Sequence, residues 1–193
     1  MNELWQTAVA GVPVWVACIM LAMQLLAPAF HFHQNRDPNR LGGPISRAKA
    51  AWLIFAINLW LVFPLLMATQ HAVYAWLGAS MLLRAVIELP LCASKRWSTN
   101  HGLAHDAIHM VLALCWLPYA PVEARLWIVL TLITLTAEVF FVLSFRKRTA
   151  GPANGVFFVP DGPAHGGLNL LTDLIRMPCQ YLMISILIAA CFT

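Results

Sequence analysis

His101-Gly102-Leu103-Ala104-His105-Asp106-Ala107-Ile108-His109 opens an apolar run that ends near Pro118. Its three histidines stand at steps of four, with a carboxylate beside the middle one. On an α-helix a step of four returns to nearly the same face, so the imidazoles form one stripe. Polar groups inside a membrane-spanning helix are costly and mark a partner, a cavity or a function. The rest of the chain is read by what each segment sets opposite this stripe.

The chain has 193 residues, 61% hydrophobic and 10% charged, and a mean hydropathy of +0.73. A soluble domain carries about 25% charged residues. The composition therefore indicates an all-α polytopic membrane protein, with residues 1–193 forming a single integral-membrane helical domain. The formal charge of +4 rests on basic residues at segment ends and does not point to nucleic acid. Cys18, Cys92, Cys115, Cys179 and Cys191 lie in or beside apolar runs without paired spacing, and are expected to be small buried hydrophobes. The N-terminus lacks a basic leader region, so its apolar segment reads as a retained span.

Six apolar segments are each about long enough to cross ~30 Å of hydrocarbon. They are Leu4–Phe30, Ala51–Thr69, Val73–Ala93, Gly102–Tyr119, Arg125–Phe145 and Gly167–Phe192. The very short joins Gln70-His71-Ala72 and Ala120–Ala124 imply antiparallel neighbours. Arg36, Arg40, Arg47 and Lys49 follow the first segment, Lys95 and Arg96 the third, and Arg146, Lys147 and Arg148 the fifth. The opposite side offers Arg125 alone. Basic loops stay cytosolic. The expected fold is a six-transmembrane-helix bundle in an inner or plasma membrane, with both termini on the non-cytosolic side. Between the fifth and sixth segments, residues 149–166 place Val156-Phe157-Phe158-Val159 between Gly and Pro residues, as a lid or as a loop packed on the bundle end.

Counted at 1.5 Å per residue, the polar residues of all six segments fall about 5–13 Å from the basic end. They are Gln24, Asn58, Arg84 with Glu88, His105 with Asp106 and His109, Glu138, and Asp173 with Arg176. Arg84–Glu88 and Asp173–Arg176 have the spacing to share a helix face. Self-neutralising pairs account for the arginines and leave Glu138, Asp106 and the histidine stripe without assigned partners. His31, His33, His101, His105, His109 and His165 also lie on or inside the basic face, and only His71 lies on the other.

Two chemistries fit an integral-membrane enzyme acting on a lipophilic, lipid or isoprenoid-like substrate in a polar cavity of the cytosolic half. In the first, His105 and His109, with His101, His165 or a carboxylate, hold iron or zinc. The second is metal-free. A buried neutral acid at Glu88, Glu138 or Asp173 protonates an alkene or epoxide, as in an isomerase or cyclase, while histidine or a second carboxylate takes the proton back. Arg84, Asp106 and Arg176 complete that candidate site. Trp52, Trp60 and Trp116 are able to steady a carbocation by cation–π contact, and equally to act as packing or interfacial residues.

Two further classes are a small metal or proton-coupled transporter and a non-catalytic subunit or assembly factor. The first lacks a polar route through the outer half and any visible internal repeat. The spacing is not HExxH, since Asp106 follows the second histidine and no Glu follows the first. The paired histidines of membrane desaturase boxes are absent, as are a P-loop, a GxSxG elbow and CxxCH.

Overall fold

The computed structural model describes residues 2–37, 44–94, 99–148 and 166–193, with the side chains at 2, 92, 93, 99, 141, 144–148 and 166–173 left out. The expected lid, His165, Lys95 and Arg96 lie outside the described residues, as does the side chain of Asp173. Everything described is helix or connecting turn, with no strand among the described residues. The elements are α1 (Asn2–Ala10), α2 (Val14–Gln24), α3 (Leu26–Asn35), α4 (Arg47–Ile57), a π-helical turn (Asn58–Val62), α5 (Phe63–Leu66), α6 (Ala72–Ala93), α7 (Thr99–Trp116), α8 (Val122–Arg148) and α9 (Gly166–Ala190).

Among the described residues, three stretches are long and apolar enough to cross a membrane: Val14–Asn35, Arg47–Leu66 and Ala72–Leu91. The first differs from the segment expected from Leu4. Helix α1 stops at Ala10, Gly11 and Val12 turn, and Pro13 caps α2 with extended backbone. Proline fixes φ and lacks the N–H that a continuous helix needs, so the chain breaks there. Helix α1 then packs on α8 and α9, burying Ala8 and Val9. A Cβ added at Gly11 would come within 2.6 Å of Glu123 Cβ, so the close approach of α1 to the start of α8 requires glycine.

Local chemistry sets the other boundaries. Asn35 donates its amide to Ile45 O and accepts from Ile45 N, both at 2.9 Å, tying the end of α3 to the entry of α4. Ser46 caps α4 by accepting the Lys49 N–H at 3.1 Å. His71 Nδ1 accepts from Val73 N–H at 3.2 Å and caps α6. The π turn precedes Pro64. A proline in a regular helix clashes with the carbonyl four residues back, and the wider turn relieves that contact while Phe63 N–H bonds Asn58 O.

The core runs the length of the bundle. Val16 and Met20 of α2, Phe55 of α4, Leu59, Phe63, Leu135 of α8 and Met183 and Leu187 of α9 are fully buried. Phe63 stacks on Trp127 at 4.0 Å and meets Tyr74 edge-on at 5.5 Å. Leu83, Val86, Ile87 and Leu89 of α6 and Ile108, Val111 and Leu114 of α7 point outward. An apolar outside around a polar inside is the pattern of a bundle whose solvent is hydrocarbon. Of the cysteines, Cys179 is buried as expected, whereas Cys18 and Cys115 are exposed and the Cys18 and Cys191 sulfurs lie 3.9 Å apart.

Candidate functional site

The stripe on α7 meets a second stripe on α6. Ser80, Arg84 and Glu88 stand at steps of four and run antiparallel to His109, Asp106 and His105. Arg84 Nε donates to Glu88 Oε2 at 2.8 Å along its own helix, and Nη1 donates to Asp106 Oδ1 across to α7. Asp106 is 1% exposed. A guanidinium is a planar fork, so it serves two carboxylates at once where a lysine would serve one.

Ser80 gathers both imidazoles. His109 Nδ1 lies 3.0 Å from Ser80 Oγ. His105 Nε2 lies 3.0 Å from Ser80 O and 3.5 Å from Ser80 Oγ. The rings stack at 5.8 Å with 23° between their planes. His105 Nδ1 faces Asp106 Oδ1 at 3.8 Å. The far nitrogens, His105 Nδ1 and His109 Nε2, are buried without a hydrogen-bond partner.

Helix α8 supplies the third carboxylate. Glu138, 7% exposed, accepts the Trp52 indole N–H at 2.8 Å. One turn earlier on α8, Thr134 accepts the Trp60 indole N–H at 2.8 Å. Glu138 is also within electrostatic reach of Asp106, Arg84 and Glu88. The interior thus joins α4, α6, α7 and α8 through three carboxylates, one guanidinium and two imidazoles. Of the three tryptophans expected either to steady a cation or to pack, Trp52 and Trp60 are hydrogen-bond donors to this layer, and Trp116 lies edge-on to His71 at 6.3 Å.

The expected layer does not converge on one point. Gln180 Nε2 donates to Gln24 Oε1 at 2.8 Å and Arg176 donates to Gln180 Oε1, which makes a second polar group between α2 and α9. Asn58 donates to Met20 O at 2.9 Å, leaving its Oδ1 unpartnered. His101 is exposed at the start of α7. Among the described residues no three His, Cys, Asp or Glu side chains gather as a metal site. One ring nitrogen of each histidine, His105 Nε2 and His109 Nδ1, turns to Ser80.

A cavity of about 10 Å³, room for a single water, adjoins His109. It is lined by Trp60, Phe63, Tyr74, Trp127 and Thr131 among others, and lies toward the turns at His71 and Pro121, the distal end of the bundle. Sequence reasoning missed Ser80, Thr134 and Tyr74. Ser80 had a legible signal, since it continues the Arg84–Glu88 spacing by one turn. Compared with known proteins, the chain matches no family model, no curated protein and no solved structure.

Proposed function

We propose that the chain is a six-span integral-membrane enzyme that carries out acid–base chemistry on a lipophilic substrate, of the isomerase or cyclase type. The spans would be α2–α3, α4–α5, α6, α7, α8 and α9, with the basic loops cytosolic and both ends of the chain on the other side. Glu138 serves as the acid. Asp106, oriented by Arg84 and adjoined by His105, takes the proton back.

One observation supports this reading: two buried carboxylates, Glu88 and Asp106, share the Arg84 guanidinium, and a third, Glu138, is buried within electrostatic reach of all three. Two negative charges in excess are costly in a low-dielectric interior, and a proton held between carboxylates is the smallest group that offsets one of them. Glu138 suits that role because it is buried and its hydrogen bond comes from the neutral Trp52 indole, whereas Glu88 and Asp106 bond the Arg84 cation. The cavity beside His109 is too small for a substrate. The lipophilic part is assigned instead to the α6–α7 flank, where Arg84, Glu88 and His105 retain slight exposure beside Leu83, Ile87 and Ile108. A substrate dissolved in the bilayer reaches that flank sideways.

Acid–base chemistry on a carbon skeleton exchanges hydrogen with solvent. The purified protein, incubated in D2O with a membrane lipid and isoprenoid extract, is expected to place deuterium in a neutral lipid detected by mass spectrometry. Glu138→Gln should abolish that incorporation while the protein elutes as the native species. Wild-type protein that labels no lipid would remove the enzyme assignment.

A further inference from the structure

Helices α2 and α9 meet at the distal end of the bundle through two sulfurs. Cys18 stands in the second turn of α2, and Cys191 in the turn that follows α9. Their Sγ atoms lie 3.9 Å apart. We propose that this pair is a redox modification site: on the distal side of the membrane Cys18 and Cys191 join as a disulfide that latches α9 to α2. The proposal rests on the topology given above and not on the acid–base assignment.

Gly11 approaches Glu123 at the start of α8, so α2 begins at the end of the bundle that carries the turns at His71 and Pro121. Trp15, three residues before Cys18, is 51% exposed. Tryptophan gathers where a span leaves hydrocarbon for the headgroup layer. The basic loops lie at the opposite end. In the proposed topology the sulfurs therefore face the non-cytosolic side, where disulfides form and persist. Bonding requires the sulfurs to close by roughly 1.9 Å. Cys191 is able to supply that movement. It lies outside the regular helix, and its N–H is shared between Leu187 O at 3.2 Å and Ile188 O at 3.0 Å, the arrangement of a fraying helix end.

The two thiols differ in access. Cys18 is exposed and Cys191 is half-buried, so Cys18 meets the oxidant, a small or protein-borne disulfide. The Cys18 thiolate attacks one sulfur of that disulfide and expels the other as a thiolate. The Cys191 thiolate then attacks Cys18 in the mixed disulfide and expels the second. The oxidant gains two electrons, and the two protons lost by the cysteines end on its two sulfurs. The new bond joins positions 173 residues apart. Closing so long a loop removes much conformational freedom from the unfolded chain. It also completes the α2–α9 seam. Gln24, Gln180 and Arg176 tie that seam nearer the basic end, and the sulfur pair ties it at the distal end.

The test begins with cells expressing the full chain, quenched in acid and N-ethylmaleimide. Mass spectrometry of the protein purified without reductant should find Cys18 linked to Cys191, with maleimide on neither. Dithiothreitol should then lower the melting temperature in detergent by about 5–10 °C. The Cys18→Ser, Cys191→Ser double variant should melt with the reduced protein in both conditions, which separates loss of the bond from any other action of the reductant. After reduction, a membrane-impermeant maleimide should label Cys18 in right-side-out vesicles. Both cysteines alkylated in the quenched cells, beside labelling of Cys18 in right-side-out vesicles, overturns the disulfide and leaves the topology standing. Labelling confined to inside-out vesicles overturns the topology and the latch with it. A linked pair whose reduction leaves the melting temperature unchanged overturns the latching role.

Discussion

Replacing Arg84 with methionine tests whether the interior charges depend on one guanidinium. Methionine keeps most of the volume and the flexible stem, so packing changes little. The loss is electrostatic. Asp106 is 1% exposed and would keep, among the described residues, His105 at 3.8 Å, while Glu88 would lose its 2.8 Å partner. Breaking a buried ion pair by removing one partner costs about 3–5 kcal/mol. Glu88 has a route to the surface, so most of that cost falls on Asp106. Adding Asp106→Asn removes the stranded charge, and the double variant should regain roughly 2 kcal/mol relative to Arg84→Met. Unfolding by titrating SDS into mild-detergent micelles, followed by tryptophan fluorescence, measures both quantities. A single variant within about 1 kcal/mol of wild type, or strict additivity in the double variant, refutes the shared-guanidinium account.

Three smaller perturbations probe the surroundings. Trp52→Phe keeps the ring and deletes the donor to Glu138, which should cost about 1–3 kcal/mol in the same unfolding assay; an unchanged midpoint counts against the bond. Gly11→Ala drives a methyl to within 2.6 Å of Glu123 Cβ, so the melting temperature should fall, and Glu123→Gly should recover part of the loss. Cys18 and Cys191 sulfurs at 3.9 Å need to close to about 2.05 Å to bond. Diamide should therefore yield one intramolecular linked peptide by mass spectrometry, and failure to do so would contradict the packing of α2 on α9.

Composition and apolar runs made the all-helical class legible, and depth counting made the Arg84, Asp106 and Glu138 layer legible, because both depend on length and hydropathy alone. The break at Gly11–Pro13 was visible as residue types. Its consequence was not, since whether proline kinks a span or ends it depends on the partner that α1 finds on α8 and α9. Partnership within the layer was harder still. Trp52 and Trp60 were weighed for their ring faces, whereas the structure uses their N–H edges, and a sequence does not say which edge of a side chain is presented. Ser80 was overlooked because serine is inexpensive in a span. Its importance comes from two histidines on another helix.

The π turn at Asn58–Val62 has one more effect, on rotational phase. Trp52 and Trp60 are eight residues apart, which in uniform α-helix leaves them about 80° out of line. A π turn absorbs roughly one extra residue, and that residue unwinds the helix by about 100°. The two indoles are thereby brought back over the same groove of α8, where Glu138 and Thr134 sit one turn apart. Inserting a single alanine between Trp52 and the π turn would lengthen the chain by little yet swing one tryptophan about 100° off that groove. Spectroscopically, such an insertion should leave helix content intact and move the indole emission, because the reporter loses its hydroxyl or carboxyl contact while the fold persists.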